Sequence, residues 1–249
     1  MNPIPHAPDE DNDDEMVGRL ISRRAALRLF GAAAGGTATL GASLLGTTSQ
    51  AQNSSSALPS CIVRPAMTEG PYFVDEKLNR SDIRSDPSSK SIRPGAALRL
   101  TFLVSSVSTK GCAPLKDAMI DLWQCDASGV YSDVQGAVGQ KFLRGYQNTD
   151  AKGQAQFLTI YPGWYPGRTV HIHFKVRYGA NKEFTSQLFF DDAFTDTVYK
   201  AAPYNARGNR NTRNSSDGIF RNGGSQLTLA TKADGNGYAA TFDLGLNLG

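Results

Sequence analysis

Residues 170–177 have the sequence VHIHFKVR, and this stretch decides the fold class of the chain. Apolar and polar residues alternate along it, and this period of two predicts a β-strand with one buried face. Because alternate residues of a strand point to the same side, His171 and His173 can converge on one ion. A lone His-x-His pair also occurs on solvent-facing strands, so the pair needs further donors before it indicates a metal site.

Short apolar runs of the same kind continue along the chain, separated by turns from its 25 glycines and 12 prolines. Strands are predicted over residues 97–104, 118–124, 156–161, 170–177, 184–190, 225–230 and 238–244. We expect the last two strands to form a closing hairpin around Gly235-Asn236-Gly237. Regular short strands with turn signals favour a mainly β sandwich or barrel.

Two segments between these strands differ from the rest. Residues 192–202 are mildly helical in pattern. Residues 204–224 are polar and rich in Gly, Asn and Arg. This stretch is long for a loop without structure, so we expect it to be functional or to be packed by its own side chains.

The N-terminal segment is predicted to be a targeting signal. An acidic stretch over residues 1–15, expected to be disordered, precedes Arg23-Arg24, an apolar run from Gly31 to Leu45 and the small-residue exit Ser49-Gln50-Ala51. This order is typical of a signal peptide, and the paired arginines favour the twin-arginine route. We therefore expect export to the periplasm or the extracellular space.

The predicted organisation follows from that signal. Residues 1–51 are the twin-arginine signal peptide, residues 52–60 a polar linker, and residues 61–249 a single folded domain. The apolar run of the leader is short and rich in Gly and Thr, so no membrane span is expected.

The three cysteines are Cys61, Cys112 and Cys125. An oxidising compartment permits one disulfide and leaves one thiol over. Cys125 lies at the end of a buried strand pattern, so the sequence favours the pair Cys61–Cys112, with three unpaired thiols as the alternative. No Cys-x-x-Cys spacing indicates a zinc or redox site.

Charge and composition exclude one function class. The formal net charge is +3, and the basic residues are scattered. Nucleic-acid binding would need a basic stripe or a reading motif, and the sequence has neither. The expected partners are small molecules.

The metal donors near the predicted His strand are tyrosines. The chain has three histidines, and His6 falls in the leader, so His171 and His173 are alone in the mature domain. No Asp or Glu lies near their strand, which disfavours a site of two histidines and one carboxylate. Tyr161 and Tyr165 both lie just upstream. Two phenolates, two imidazoles and one hydroxide balance a trivalent cation, which favours Fe(III) over Zn(II) or Cu(II).

Three motifs resemble those of a known family. They are DLWQCDASGVYS at residues 121–132, PGWYPGRTVHIHF at residues 162–174 and TEGPY at residues 68–72. In this spacing and order the chain is similar to the intradiol ring-cleavage dioxygenases over about residues 61–245, within an exported branch related to protocatechuate 3,4-dioxygenases. The resemblance implies a mainly β fold, a single-domain antiparallel β-sandwich with long loops.

The resemblance also implies a ligand set for a non-haem Fe(III). Tyr131 and His171 would be equatorial ligands, and Tyr165 and His173 axial ligands. Tyr165, rather than Tyr161, fits the motif and would be released when the diol binds.

Catalytic and substrate-binding roles follow from the same resemblance. Arg168 would bind substrate and stabilise the negative charge that develops on the ring, and Gln187 would support the site from beside it. The segment Gly70-Pro71-Tyr72 would lie against the substrate. The implied reaction cleaves a catechol-type diol with O2 to a muconate-type product.

Several alternatives stay open at this point. The scaffold could be a secreted β-sandwich binding module without catalysis, or the His pair could serve a copper or zinc enzyme. Gln187 could merely pair with the backbone. The substrate could be catechol, protocatechuate, hydroxyquinol or a catechol-bearing polymer fragment, and a homo-oligomer is possible.

Overall fold

A computed structural model describes residues 62–134 and 136–248, and these residues form two β-sheets. The predicted signal peptide, the linker and Cys61 lie outside the described residues. In the part of the chain that is described, no helix is long and apolar enough to cross a membrane.

The first sheet has five strands. They are β1 (Ala97–Ser108), β2 (Gly111–Pro114), β5 (Gln154–Ile160), β8 (Lys232–Asp234) and β9 (Gly237–Asn247). β1 is central, with β2 and β5 along one edge and β9 along the other. The β1–β9 pair is parallel, so this sheet is mixed rather than purely antiparallel. A parallel pair needs a long connection, and nearly the whole domain lies between these two strands.

The second sheet has four strands and is antiparallel throughout. They are β3 (Met119–Trp123), β4 (Arg144–Asn148), β6 (His171–Tyr178) and β7 (Lys182–Phe189), in the order β4-β3-β6-β7. The register aligns Trp123, His173 and Gln187 across three neighbouring strands.

The two sheets pack face to face through buried aromatic rings. Phe174 of β6 lies 5.3 Å from Phe102 of β1 and 5.6 Å from Phe242 of β9, measured between ring centroids. This contact confirms the predicted β-sandwich. Because side chains alternate along a strand, His171 and His173 project from the opposite face of β6, away from the other sheet.

In the described part of the chain, five short helical segments lie in the connections. They are α1 (Asp192–Val198), α2 (Gly218–Arg221) and three 3-10 turns at Tyr204–Arg207, Asn214–Ser216 and Gly224–Leu227. The helical tendency predicted for residues 192–202 is therefore confirmed over residues 192–198, while residues 199–202 form turns. Side chains of the segment 204–224 hold it in part against the rest of the domain. The Tyr204 hydroxyl donates to the carbonyl of Tyr161, and Arg210 pairs with Asp192.

The predicted strand over residues 225–230 is wrong. Gly223 has a φ of 120°, and residues 224–227 form a 3-10 turn instead. Leu227 and Leu229 are both buried, which explains the strand-like alternation in the sequence. The closing hairpin forms between β8 and β9 around Gly235 and Asn236.

The two described cysteines differ in their bonding. Cys112 is disulfide-bonded, and Cys125 is a free, buried thiol. Burial raises the pKa of Cys125 to about 12, so this thiol is inert at neutral pH.

Candidate metal centre and active site

The His pair lies on the outer face of the second sheet, where loops cover it completely. His171 is 2% exposed and His173 is 1% exposed. Their Nε2 atoms are 3.0 Å apart. The two imidazoles therefore converge, as the i, i+2 spacing on a strand predicts.

The orientation of each imidazole is fixed by a neighbour. His171 Nδ1 lies 2.6 Å from the carbonyl oxygen of Thr169 and donates to it, so His171 Nε2 carries a lone pair. The His173 ring stacks on Trp123, with centroids 5.1 Å apart and an interplanar angle of 11°. His173 Nδ1 is buried without a hydrogen-bond partner among the described residues.

Two tyrosine hydroxyls point at the same nitrogen. The Tyr165 hydroxyl is 3.1 Å from His171 Nε2, and the Tyr131 hydroxyl is 3.4 Å from it. Tyr161, the competing candidate, lies elsewhere: its hydroxyl bonds the Thr195 hydroxyl at 2.7 Å, and its ring packs on Phe190. The structure thus brings Tyr165 to the His pair and not Tyr161.

A tight turn presents Tyr131 to the site. The Asp126 carboxylate accepts from the Ser128 amide at 2.8 Å, the Ser128 hydroxyl at 2.6 Å and the Val130 amide at 3.1 Å. Arg93 pairs with the other oxygen of the same carboxylate. Burial would raise the pKa of Asp126, but the bonds from Arg93 and Ser128 outweigh it and lower the pKa. The charged carboxylate thereby fixes the turn that precedes Tyr131.

The electrostatics of the site favour neutral imidazoles. Burial, together with the nearby Arg168 guanidinium, lowers the pKa of His171 well below its usual value. Burial and the facing His171 do the same for His173. Burial and the neighbouring Tyr165 raise the pKa of Tyr131 well above its usual value, so its phenolate needs a nearby cation.

This donor set fits one metal ion. Three potential ligand atoms lie within 3.4 Å of His171 Nε2: His173 Nε2, the Tyr165 hydroxyl oxygen and the Tyr131 hydroxyl oxygen. Neutral imidazole nitrogens can act as metal ligands as they stand, and phenol oxygens can do so after loss of their protons. Among the described residues no cluster of three or more His, Cys, Asp or Glu side chains could bind a metal. Any metal at this site therefore depends on the tyrosines.

Arg168 and Gln187 lie together beside the donors, and both are buried. Arg168 Nη2 donates to Gln187 Oε1 at 2.5 Å, and Gln187 Nε2 donates to the carbonyl oxygen of Thr68 at 3.0 Å. Gln187 therefore pairs with the backbone and also contacts Arg168. Arg168 Nε donates to Asp217 at 3.0 Å.

The segment Gly70-Pro71-Tyr72 lies at the edge of the same site. The Tyr72 ring stacks on Tyr131 at 4.6 Å and meets Tyr165 edge-on at 6.3 Å. The Gly70 amide donates to Thr68 Oγ1 at 3.2 Å, and Pro71 is exposed. This segment thus places an aromatic ring against both tyrosine donors.

The comparisons with known proteins decide the family. A family model described as "Dioxygenase" matches residues 68–222, which include every donor described above. An intradiol ring-cleavage dioxygenase structure from Tetranychus urticae is 32% identical, with a TM-score of 0.67, over 75% of this chain and 95% of that chain. This chain belongs to the intradiol ring-cleavage dioxygenases.

Two further dioxygenases are similar to this chain. One is the dioxygenase domain of a dioxygenase carbohydrate-binding protein fusion from Streptomyces sp. SirexAA-E. It is 30% identical, with a TM-score of 0.56, over 76% of this chain and 100% of that chain. The other is the protocatechuate 3,4-dioxygenase beta chain of Burkholderia cepacia, 29% identical over 70% of this chain and 75% of that protein.

The sequence did not reveal three features of this intradiol dioxygenase site. They are the Thr169 carbonyl that orients His171, the Trp123 ring that stacks on His173, and Asp217 beside Arg168. The Trp123 contact could have been found, since strands 118–124 and 170–177 are both evident and pair directly. Asp217 lies in a polar segment with no local signal.

Proposed function

We propose that this chain is a non-haem Fe(III)-dependent intradiol dioxygenase that cleaves catechol-type diols with O2 to muconate-type products. The convergence of two tyrosine hydroxyls and His173 Nε2 within 3.4 Å of His171 Nε2 carries the proposal. Membership of the family supports ring cleavage of catechol-type compounds in general.

Tyr131, Tyr165, His171 and His173 would hold the ion. A bound ferric ion would supply Lewis acidity, which would favour the deprotonated form of the diol and prepare its ring for reaction with O2. The chain contributes neutral imidazoles, because burial and Arg168 lower the pKa of His171. Two phenolates then provide the negative charge that a trivalent cation requires.

The two tyrosines differ in burial and packing. Tyr131 is buried and stacked on Tyr72, whereas Tyr165 is partly exposed, beside the exposed Pro166 and Gly167. Tyr165 is therefore the donor suited to give way to a diol, and its hydroxyl oxygen is the atom suited to accept a proton from that diol.

Arg168 supplies a fixed positive charge in a water-poor site. Its guanidinium is buried, and the nearby charges of Tyr165 and Asp217 raise its pKa against the effect of burial, so it stays protonated. A fixed cation of this kind stabilises negative charge that develops on a bound ring. Tyr72 provides an aromatic surface for the same ring.

Iron loading with product analysis tests the proposal. The purified protein is stripped of metal, reloaded with Fe(III), Zn(II) or Cu(II), and assayed against catechol, protocatechuate and hydroxyquinol. We expect ring-cleavage product only with iron, and only by cleavage between the two hydroxyl-bearing carbons. Tight iron binding without turnover of any diol would favour a binding module, and activity with zinc or copper would favour another metalloenzyme.

We also propose that the chain is exported by the twin-arginine route to the periplasm or beyond. Arg23-Arg24 before the apolar run support this proposal. Changing both arginines to lysine should retain the protein in the cytoplasm, as measured by fractionation. Unchanged export of this variant would contradict the proposal.

A further inference from the structure

Asp217 is a buried carboxylate in the segment 204–224, and it is 1% exposed. One oxygen, Oδ1, accepts from the amides of Ile219 at 2.8 Å and Phe220 at 3.0 Å, so Asp217 caps the short helix α2. The other oxygen, Oδ2, accepts from Arg168 Nε at 3.0 Å and from the Thr169 amide at 2.7 Å. The carboxylate thus joins this segment to the candidate active site.

Helix capping does not account for the contacts of the second carboxylate oxygen, Oδ2. Asp191 caps the longer helix α1 by the same chemistry, accepting from the Phe194 amide at 2.8 Å, and it does so from an exposed position. Burial of a carboxylate is costly unless its charge is paired and its oxygens are satisfied. The buried position of Asp217 is therefore explained by its pairing with Arg168.

Two anchors fix the Arg168 guanidinium. Asp217 accepts from Nε, and Gln187 accepts from Nη2 while its own amide donates to Thr68. Among the described residues, Nη1 takes part in no hydrogen bond that we find. Bonds at two of the three nitrogens define the plane of a rigid guanidinium and leave the third for another partner.

We propose that Asp217 is a positioning residue that orients Arg168 for the reaction, so that the segment 204–224 contributes directly to the site. This inference rests on the proposed function. Asp217 adds no positive charge and partly offsets that of Arg168, so its contribution is orientation. A group fixed before the reaction stabilises developing charge better than one that must reorient.

The test uses two substitutions that keep the helix cap. Asn and Ser are both good N-cap residues, so Asp217→Asn and Asp217→Ser preserve the bonds to α2 while removing the carboxylate from Arg168. Asp191→Asn is the matched control, because it alters a cap without contact to the site. We expect both Asp217 variants to lose about 10- to 100-fold in kcat with KM nearly unchanged, and the control to retain full activity.

A double-mutant cycle separates positioning from a general structural effect. If Asp217 acts through Arg168, then Asp217→Asn should cost little further activity in an Arg168→Gln background. Equal losses in both backgrounds would overturn the inference. If Arg168→Gln is not soluble, the kcat-only loss in both Asp217 variants with unaltered iron content decides the matter.

A readout on the metal-free protein adds an independent measurement. The Arg168 Nε–H signal in NMR should be protected from exchange in the wild type and in Asp191→Asn, and should lose that protection in both Asp217 variants. Asp217 also contacts the Thr169 amide, and Thr169 orients His171. A fall in iron content or a shifted visible band that accounts for the activity loss would therefore overturn the assignment to Arg168.

The result for the wild type separates the two proposals. An iron-loaded wild type that cleaves no diol contradicts the proposed function. An active wild type whose Asp217 variants keep their kcat contradicts only the role of Asp217.

Discussion

Tyr161 and Tyr165 lie four residues apart but have different surroundings. Pro162 and Gly163 follow Tyr161, which stays in the core against Phe190, while Tyr165 extends over the His pair. Burial raises the pKa of Tyr161 as well, even though the Thr195 hydroxyl bonds it. A tyrosine hydroxyl alone therefore does not identify a metal ligand. The residues that surround the hydroxyl identify it.

Substitution of the tyrosines tests the donor assignment. Tyr131→Phe and Tyr165→Phe each remove a phenolate and should shift or weaken the visible tyrosinate–Fe(III) band. Tyr161→Phe is the control. It should leave the band unchanged and cost only about 1 kcal/mol of unfolding free energy, since it removes one buried hydrogen bond. A Tyr161→Phe variant that loses the band, or a Tyr165→Phe variant that keeps it unaltered, would reverse the assignment.

Strand periodicity alone predicts that His171 and His173 lie together. Tyr131, Tyr165, Arg168 and Gln187 could be assigned to the site only through the resemblance to a known family, and Asp217 could be found by neither route. Asp217 lies 49 positions after Arg168. Its polar surroundings resemble those of any solvated loop, so only the folded chain reveals its contact.

At the scale of elements, the site depends on two turns that contact each other. The turn of residues 126–131 presents Tyr131, and residues 161–168 present Tyr165 and Arg168. The two meet at Gly163, whose amide donates to the Asp126 carbonyl at 3.1 Å. A Cβ on Gly163 would lie 2.5 Å from the carbonyl oxygens of both Asp126 and Ala127.

Gly163→Ala should therefore separate the two turns. We expect it to lower the unfolding free energy by about 1–3 kcal/mol, because backbone atoms must shift to admit the methyl group. The iron occupancy of the purified protein should fall together with its unfolding free energy. Gly218→Ala is the control for stability, since its added Cβ would meet no atom closer than 3.9 Å. Denaturant unfolding of the three proteins measures the difference, and equal stability of the two variants would contradict the expectation.

Strands with clear alternation were predicted correctly, and short or irregular elements were missed. β1, β5 and β9 include a run in which alternate residues are buried, whereas β3, β6 and β7 are buried along most of their length. β2 has four residues and β4 has five, and both include residues that are weak strand formers, such as Gly. The error at residues 225–230 arose because two buried leucines, Leu227 at the end of a 3-10 turn and Leu229 just after it, imitate one face of a strand.

At the scale of the whole molecule, one sheet face forms the core and the other carries the chemistry. The inner face of the second sheet packs on the first sheet through Phe174. The outer face carries His173 and, in the next row, the facing residues Asp121 and Lys175. Asp121 also pairs with Arg177 at 2.7 Å.

Asp121 gives the stability an unusual pH dependence. Burial raises its pKa to about 6 in spite of Arg177 and Lys175, whereas an unfolded Asp titrates near 3.9. Between these values the folded state binds a proton that the unfolded state lacks, so acidification favours folding. We expect the wild type to gain stability relative to Asp121→Asn as the pH falls from above 6 to about 4, by no more than about 3 kcal/mol. Unfolding of both proteins at several pH values measures this difference. A difference in unfolding free energy that does not change with pH would contradict the expectation.

The most direct test of the central claim is the mass of the product formed under isotopically labelled dioxygen. The iron-loaded wild type is incubated with catechol in an atmosphere of 18O2. Intradiol cleavage by the site of Tyr131, Tyr165, His171 and His173 predicts a dicarboxylic muconate-type product that incorporates label from O2. An unlabelled product, a semialdehyde from cleavage outside the diol, or a simple quinone would contradict the account.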